Sequence, residues 1–127
     1  GLGADSVAKI AQVREAGLKS LEILKAAGVK MGFGTDLLGA SHDLQSEEFL
    51  IRAQVQSNLE VLQSATLIGA ELLNQVGVIG EIAAGARADL LLVDGNPLAD
   101  LACLTGQGER IPLVMQGGKL RVNELRA

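Results

Sequence analysis

Asp36, closing the run Gly32-Phe33-Gly34-Thr35-Asp36, is the side chain of this sequence best placed for chemistry. The apolar-periodic stretch before it stops at Ala26-Ala27-Gly28, Val29 to Gly34 reads as a short buried strand, and Asp36 is the acid at that strand's C-terminal end. In a (β/α) barrel this is the end where loops converge and reactive groups collect. A lone carboxylate also has a plainer reading, as a helix N-cap or turn residue. His42, the only histidine, follows in a segment without periodicity, where an exposed loop position is its plain reading. Cys103 lies in Leu101-Ala102-Cys103-Leu104 and fits a small buried apolar residue better than a nucleophile. Glu47 and Glu48 suit the first turn of a helix, where acids favour the dipole. Arg52 could face the mouth of such a barrel, but its helical position favours a surface ion pair. A phosphate cradle at Gly32-Phe33-Gly34 has little support, because Asp36 would repel the anion and no Gly-x-Gly-x-x-Gly opens a helix there.

These residues need elements to hold them. Residues 5–28 carry apolar side chains at helical spacing (Val7, Ile10, Ala11, Leu18, Leu21, Leu24), with Asp5 and Ser6 as caps and Gly28 as the stop. Gly17 is a weak point that can split this helix in two, at about 1 kcal/mol relative to alanine. Leu37 to Ser46 reads as loop. A second helix is expected from about Ser46, its cap, to Ser57, with Phe49, Leu50 and Ala53 on one face. A third runs from about Asn58 to Asn74, with Leu59, Leu62, Thr66, Gly69, Leu72 and Leu73 as a core stripe. Beyond Gly77 the texture changes to strands. Ala88 to Asp94 is an apolar run closed by Gly95-Asn96-Pro97, which predicts a strand buried on both faces. Ile111–Gln116 and Lys119–Val122 flank Gly117-Gly118, a two-residue hairpin signal.

Composition narrows the function classes. The 127 residues suffice for one domain, and 48% hydrophobic content argues against disorder. Two Phe and no Trp or Tyr mean that the core must come from aliphatic residues. A net charge of −4 without a basic run argues against nucleic acid and anionic membranes as partners. No apolar run reaches the roughly 20 residues of a membrane span, and no secretory signal opens the sequence. One cysteine allows no internal disulfide and fits a cytoplasmic protein.

Three features in order then carry a resemblance over nearly the whole chain: Ala27-Gly28-Val29-Lys30 leading to Gly34-Thr35-Asp36; Ser64-Ala65-Thr66 with Gly69-Ala70, then Ile79-Gly80-Glu81-Ile82; and Gly85-Ala86-Arg87-Ala88-Asp89-Leu90, Val93-Asp94-Gly95-Asn96-Pro97-Leu98 and Val114-Met115-Gln116-Gly117-Gly118-Lys119. Together they resemble the C-terminal third of metal-dependent amidohydrolases of the imidazolonepropionase and Xaa-Pro dipeptidase kind. The resemblance implies an α/β fold: residues 1–76 as the C-terminal segment of a (β/α)8 barrel, and residues 77–127 as part of a small β-sandwich domain. It implies that Asp36 binds the catalytic metal and takes a proton from the water attacking an amide or related C–N carbonyl. A divalent ion lowers the pKa of such a water to about 7, and a carboxylate beside it shuttles the proton to the leaving amine. It also places His42 toward the substrate, an amide or dipeptide, and not among the metal ligands.

The sequence departs from that family in lacking most of the site. The family's His-x-His pair, its later histidines and its modified lysine have no counterparts here, whereas catalytic zinc takes three protein ligands. A divalent metal, with zinc the expected ion, therefore belongs to a longer enzyme. The chain alone is expected to bind none and to be inactive, and apolar surface left without partners predicts self-association or association with the missing N-terminal part. The competing reading is a non-catalytic assembly module or truncated remnant.

Overall fold

In a computed structural model of the chain, which describes residues 4–125 and side chains from Glu15 onward, helix α1 runs unbroken from Ala4 to Ala26. The side chains of Asp5, Ser6, Val7, Ile10 and Ala11, expected as caps and apolar face, lie outside those described. Gly17 causes no break. Gly28 ends the helix for a stereochemical reason: its φ is +69°, a conformation that a side chain disfavours. Its N–H donates to the Lys25 carbonyl and the Val29 N–H to that of Leu24, both at 3.0 Å, the paired bonds of a Schellman stop. On the helix surface Lys19 Nζ donates to Glu22 at 2.7 Å. That hydrogen bond, and then the charge of Glu22, raise the Lys19 pKa above its ordinary 10.5.

The chain forms two compact units, one up to Lys30 and the other from Met31 onward. In the second, several sequence expectations give way to local physics. Residues 29–34 are not a strand. A strand needs a neighbour to satisfy its backbone groups, and among the described residues none lies beside this segment; the Phe33 N–H instead donates to the Ser64 carbonyl at 3.1 Å. Nor is the segment before Ser46 irregular, since Gly39–Glu47 forms a 3-10 helix. It runs directly into helix α2 (Glu48–Arg52), and Glu47, the residue before α2, already has helical φ and ψ of −66° and −19°. No extended cap position remains for Ser46, and α2 is correspondingly shorter than the helix expected to reach Ser57.

Helix α3 (Asn58–Ala65) begins with a complete capping box. Ser57 is extended, its Oγ accepts from the Glu60 N–H at 3.3 Å, and Glu60 Oε2 accepts from the Ser57 N–H at 2.6 Å. The helix predicted to continue to Asn74 breaks at Thr66, where φ and ψ are −124° and −90° and Oγ1 donates to the Leu62 carbonyl at 2.7 Å. A threonine hydroxyl that bonds back four residues competes with the helical ladder. Helix α4 (Leu67–Leu72) then follows as a separate element. The predicted stripe consequently does not hold as core: Leu59, Leu72 and Leu73 are more than half exposed, while Val61, Ser64 and Ala70 are buried.

Strands β1 (Leu90–Leu92), β2 (Leu113–Gln116) and β3 (Lys119–Asn123) form an antiparallel sheet in the order β1-β2-β3. Leu91 lies opposite Val114 and Gln116 opposite Lys119, with a register slip between Val114 and Met115. Gly117 and Gly118 have φ of +56° and +77°, as a two-residue hairpin turn with two left-handed positions requires. The strand expected to be buried on both faces is shorter and more open: Leu91 is 56% exposed, because β1 is an edge strand and no second sheet covers it among the described residues.

One apolar cluster holds the second unit together. Val61 of α3 packs with Leu101, Cys103 and Leu104 of a 3-10 turn, and Phe33, Phe49, Ala53, Leu62, Val93 and Ile111 surround them. The protein's two aromatic rings, Phe33 and Phe49, lie with centroids 4.5 Å apart. Cys103 is buried there as expected, its thiol donating to the Asp100 carbonyl at 3.0 Å.

Candidate active site

The segment from Met31 to Leu38 carries the candidate acid, and its fixed point is a single peptide group. The carbonyl of Gly32 accepts from Arg52 Nη2 at 2.7 Å, and the N–H of the same peptide, on Phe33, is bonded to Ser64. Four residues after Gly32 stands Asp36, exposed and with φ of +52°. Left-handed backbone is uncommon for a residue with a side chain, though aspartate tolerates it better than most. A hydrogen bond closes the turn over it: the Leu37 N–H donates to Thr35 Oγ1 at 3.4 Å. The carboxylate is thus exposed beside a short side-chain turn, in a segment that is not the strand whose C-terminal end it was expected to close.

His42 stands exposed in the 3-10 helix that follows, not in a loop. Glu47 is exposed and Glu48 is partly buried. Cys103 belongs to the apolar cluster and takes no part in this region. Arg52 differs most from its expected place. It does pair with a carboxylate, Nε donating to Glu48 Oε1 at 2.8 Å, but the pair is not on the surface: Arg52 is 6% exposed. Its guanidinium carbon lies 5.3 Å from the Phe33 ring centroid, within cation–π range. The Glu-x-x-x-Arg spacing signals the ion pair; nothing in it signals that the arginine turns inward to a carbonyl twenty residues back.

The side chains present do not fit a complete metal centre. Among the described residues, no group of three or more His, Cys, Asp and Glu is arranged to hold a metal ion. Asp36 offers one carboxylate where a catalytic zinc takes three protein ligands. Nor, among the described residues, is any helix long and apolar enough to cross a membrane.

Known proteins resemble this chain over nearly its whole length. The sequence model of the amidohydrolase family matches residues 2–120. A solved amidohydrolase structure superposes with a TM-score of 0.90 at 60% identity, over 99% of this chain and 30% of the other. A prolidase complexed with N-methylphosphonate-L-proline superposes with a TM-score of 0.87 at 52% identity, over 97% of this chain and 30% of that one. Among curated proteins, the ochratoxinase of Aspergillus niger is 26% identical over 121 residues, which are 94% of this chain and 25% of the relative; its structure gives a TM-score of 0.76. The chain spans a quarter of the curated relative and under a third of each solved one.

Proposed function

We propose a function from one premise: the chain belongs to the amidohydrolase family, whose sequence model covers residues 2–120. That family generally uses divalent metals. Our reading is that this polypeptide is the C-terminal portion of a metal-dependent hydrolase of amide or peptide C–N bonds. Residues 1–76 serve as the last part of its barrel and residues 77–127 as a portion of its small β domain. The remaining metal ligands then come from polypeptide outside this sequence, and the chain by itself is inactive.

The observation that carries this reading is Asp36, the carboxylate held in a left-handed turn beyond a clamped peptide. Residues held in sparsely populated backbone regions cluster at functional sites, although Asn74 and Gln107 share this conformation outside the candidate site. A divalent ion, with zinc expected, would supply an acidified water at such a centre. The part of this chain is narrower. In the longer enzyme Asp36 would help hold that ion, and its carboxylate would take the proton of the attacking water and pass it to the departing nitrogen, a transfer worth about 10²–10⁴-fold in rate. His42 faces the substrate. The likeness to a prolidase bound to a proline-containing ligand favours dipeptides whose second residue is proline.

Metal content and hydrolysis test the proposal together. Purified chain, soaked in zinc or manganese and desalted, is expected to carry almost no metal by elemental mass spectrometry and to leave Xaa-Pro dipeptides intact. A longer protein containing this segment is expected to bind metal and cleave them, and Asp36→Asn to lower its kcat by about 10²-fold or more. Stoichiometric metal on the isolated chain, lost in Asp36→Ala, would overturn the idea that the site is incomplete. Unchanged turnover in Asp36→Asn would remove Asp36 from the mechanism.

A further inference from the structure

We propose that Arg52 is the positioning residue for Asp36, acting through the Gly32–Phe33 peptide; the catalytic sense of that role rests on the function proposed above. Four observations converge on it. Arg52 is almost fully buried, and its Nη2 donates to the Gly32 carbonyl at 2.7 Å. Its Nε is tethered by Glu48, one helical turn earlier, at 2.8 Å. Its guanidinium lies 5.3 Å from the Phe33 ring centroid. On the other side of the same peptide, the Phe33 N–H is bonded to Ser64. One peptide group is therefore gripped through its oxygen from α2 and through its nitrogen from α3, and Asp36 follows after only three intervening residues.

A surface ion pair would need none of this burial. Glu48 and Arg52, four apart on a helix, can pair in solvent at almost no cost. Burying the pair costs several kcal/mol per ion before compensation. Among the described residues Nη1 is buried with no hydrogen-bond partner. What the buried position gains is a directed bond to the segment that presents Asp36. Arginine suits that task because its planar fork fixes several donors at once, whereas a lysine ammonium is a flexible point charge.

The test uses the 127-residue chain and needs no activity for its main readout. In Arg52→Lys, amide exchange at Phe33 is expected to rise about tenfold or more while the Val61 amide, bonded to Ser57 within α3, keeps its rate. The three-bond coupling of Asp36 Hα to the preceding carbonyl carbon, which is large only when φ is positive, is expected to fall toward an averaged value. Glu48→Gln, which loosens the tether without removing the arginine, should do the same to a smaller extent and carries the test if Arg52→Lys does not fold. Exchange rising equally at Phe33 and Val61, or an Asp36 coupling unchanged in both variants, would overturn the proposal. In a longer protein containing the segment, Arg52→Lys is expected to lower kcat with KM unaltered; a preserved kcat alongside a moved Asp36 coupling would also overturn it. If Asp36→Asn leaves turnover intact, the function reading fails, and the coupling still decides whether Arg52 sets the Asp36 backbone.

Discussion

At Asp36 conformation and chemistry pull in opposite directions. Its φ of +52° lies where a Cβ crowds the following carbonyl, a cost of roughly 1–2 kcal/mol for an ordinary residue and less for aspartate. Glycine pays none of that steric cost. Asp36→Gly should therefore be more stable than Asp36→Ala by about 1 kcal/mol in chemical denaturation. Both remove the carboxylate, so the difference isolates the backbone. Equal stabilities would mean that the turn relaxes and that Asp36 is not held in the left-handed region. The sequence pointed to Asp36 because Gly-Thr-Asp follows an apolar segment. It did not point to Arg52, whose place is decided by a carbonyl twenty residues away. A charged residue on a helix reads as solvated until the tertiary partner that buries it is seen.

Elements governed by their own few residues were legible, and elements that need distant partners were not. Gly28 and the Gly117-Gly118 turn stand where expected, because a positive φ is a local demand that glycine meets. Residues 29–34 and Thr66 show the other case. An apolar run predicts a strand, but pairing is a property of neighbours; a helical stripe predicts one long helix, but the Thr66 hydroxyl ends the ladder early. The capping box at Ser57 and Glu60 is equally local, with Ser-x-x-Glu directly before an apolar run, although Ser57 was expected only as the end of the second helix. Ser57→Ala removes the Oγ acceptor of the Glu60 N–H and should cost about 1 kcal/mol. Because α3 supplies both Val61 to the core and the Ser64 carbonyl to Phe33, that loss should appear in the global melting curve and not only as fraying. A change confined to the amides of residues 58–60 would show that α3 is held by packing alone.

For the whole molecule, burial is the property least readable from sequence, because it depends on what lies opposite. The leucines of β1 and of residues 59–73 have the pattern of a core, yet many of them face solvent here. Leu72 is 68% and Ile82 90% exposed, and Leu73, Val76 and Leu91 are exposed as well. Scattered apolar residues are ordinary on a protein surface; those on an edge strand are not, since β1 exposes apolar side chains and, among the described residues, pairs with β2 alone, which leaves its other edge open. The relatives that this chain matches are more than three times its length, so their corresponding surface has far more polypeptide available to cover it. The isolated chain is therefore expected to self-associate through this edge. Sedimentation velocity should show an apparent mass that rises with concentration. Leu91→Lys, a charge on the exposed face of the edge strand, should shift the distribution toward monomer without lowering the melting temperature, because Leu91 contributes little to the core. A monodisperse monomer at every concentration would show that the edge is not adhesive. Association unchanged by Leu91→Lys would place the contact on another of the exposed apolar surfaces, with the Leu72, Leu73 and Val76 region next in line.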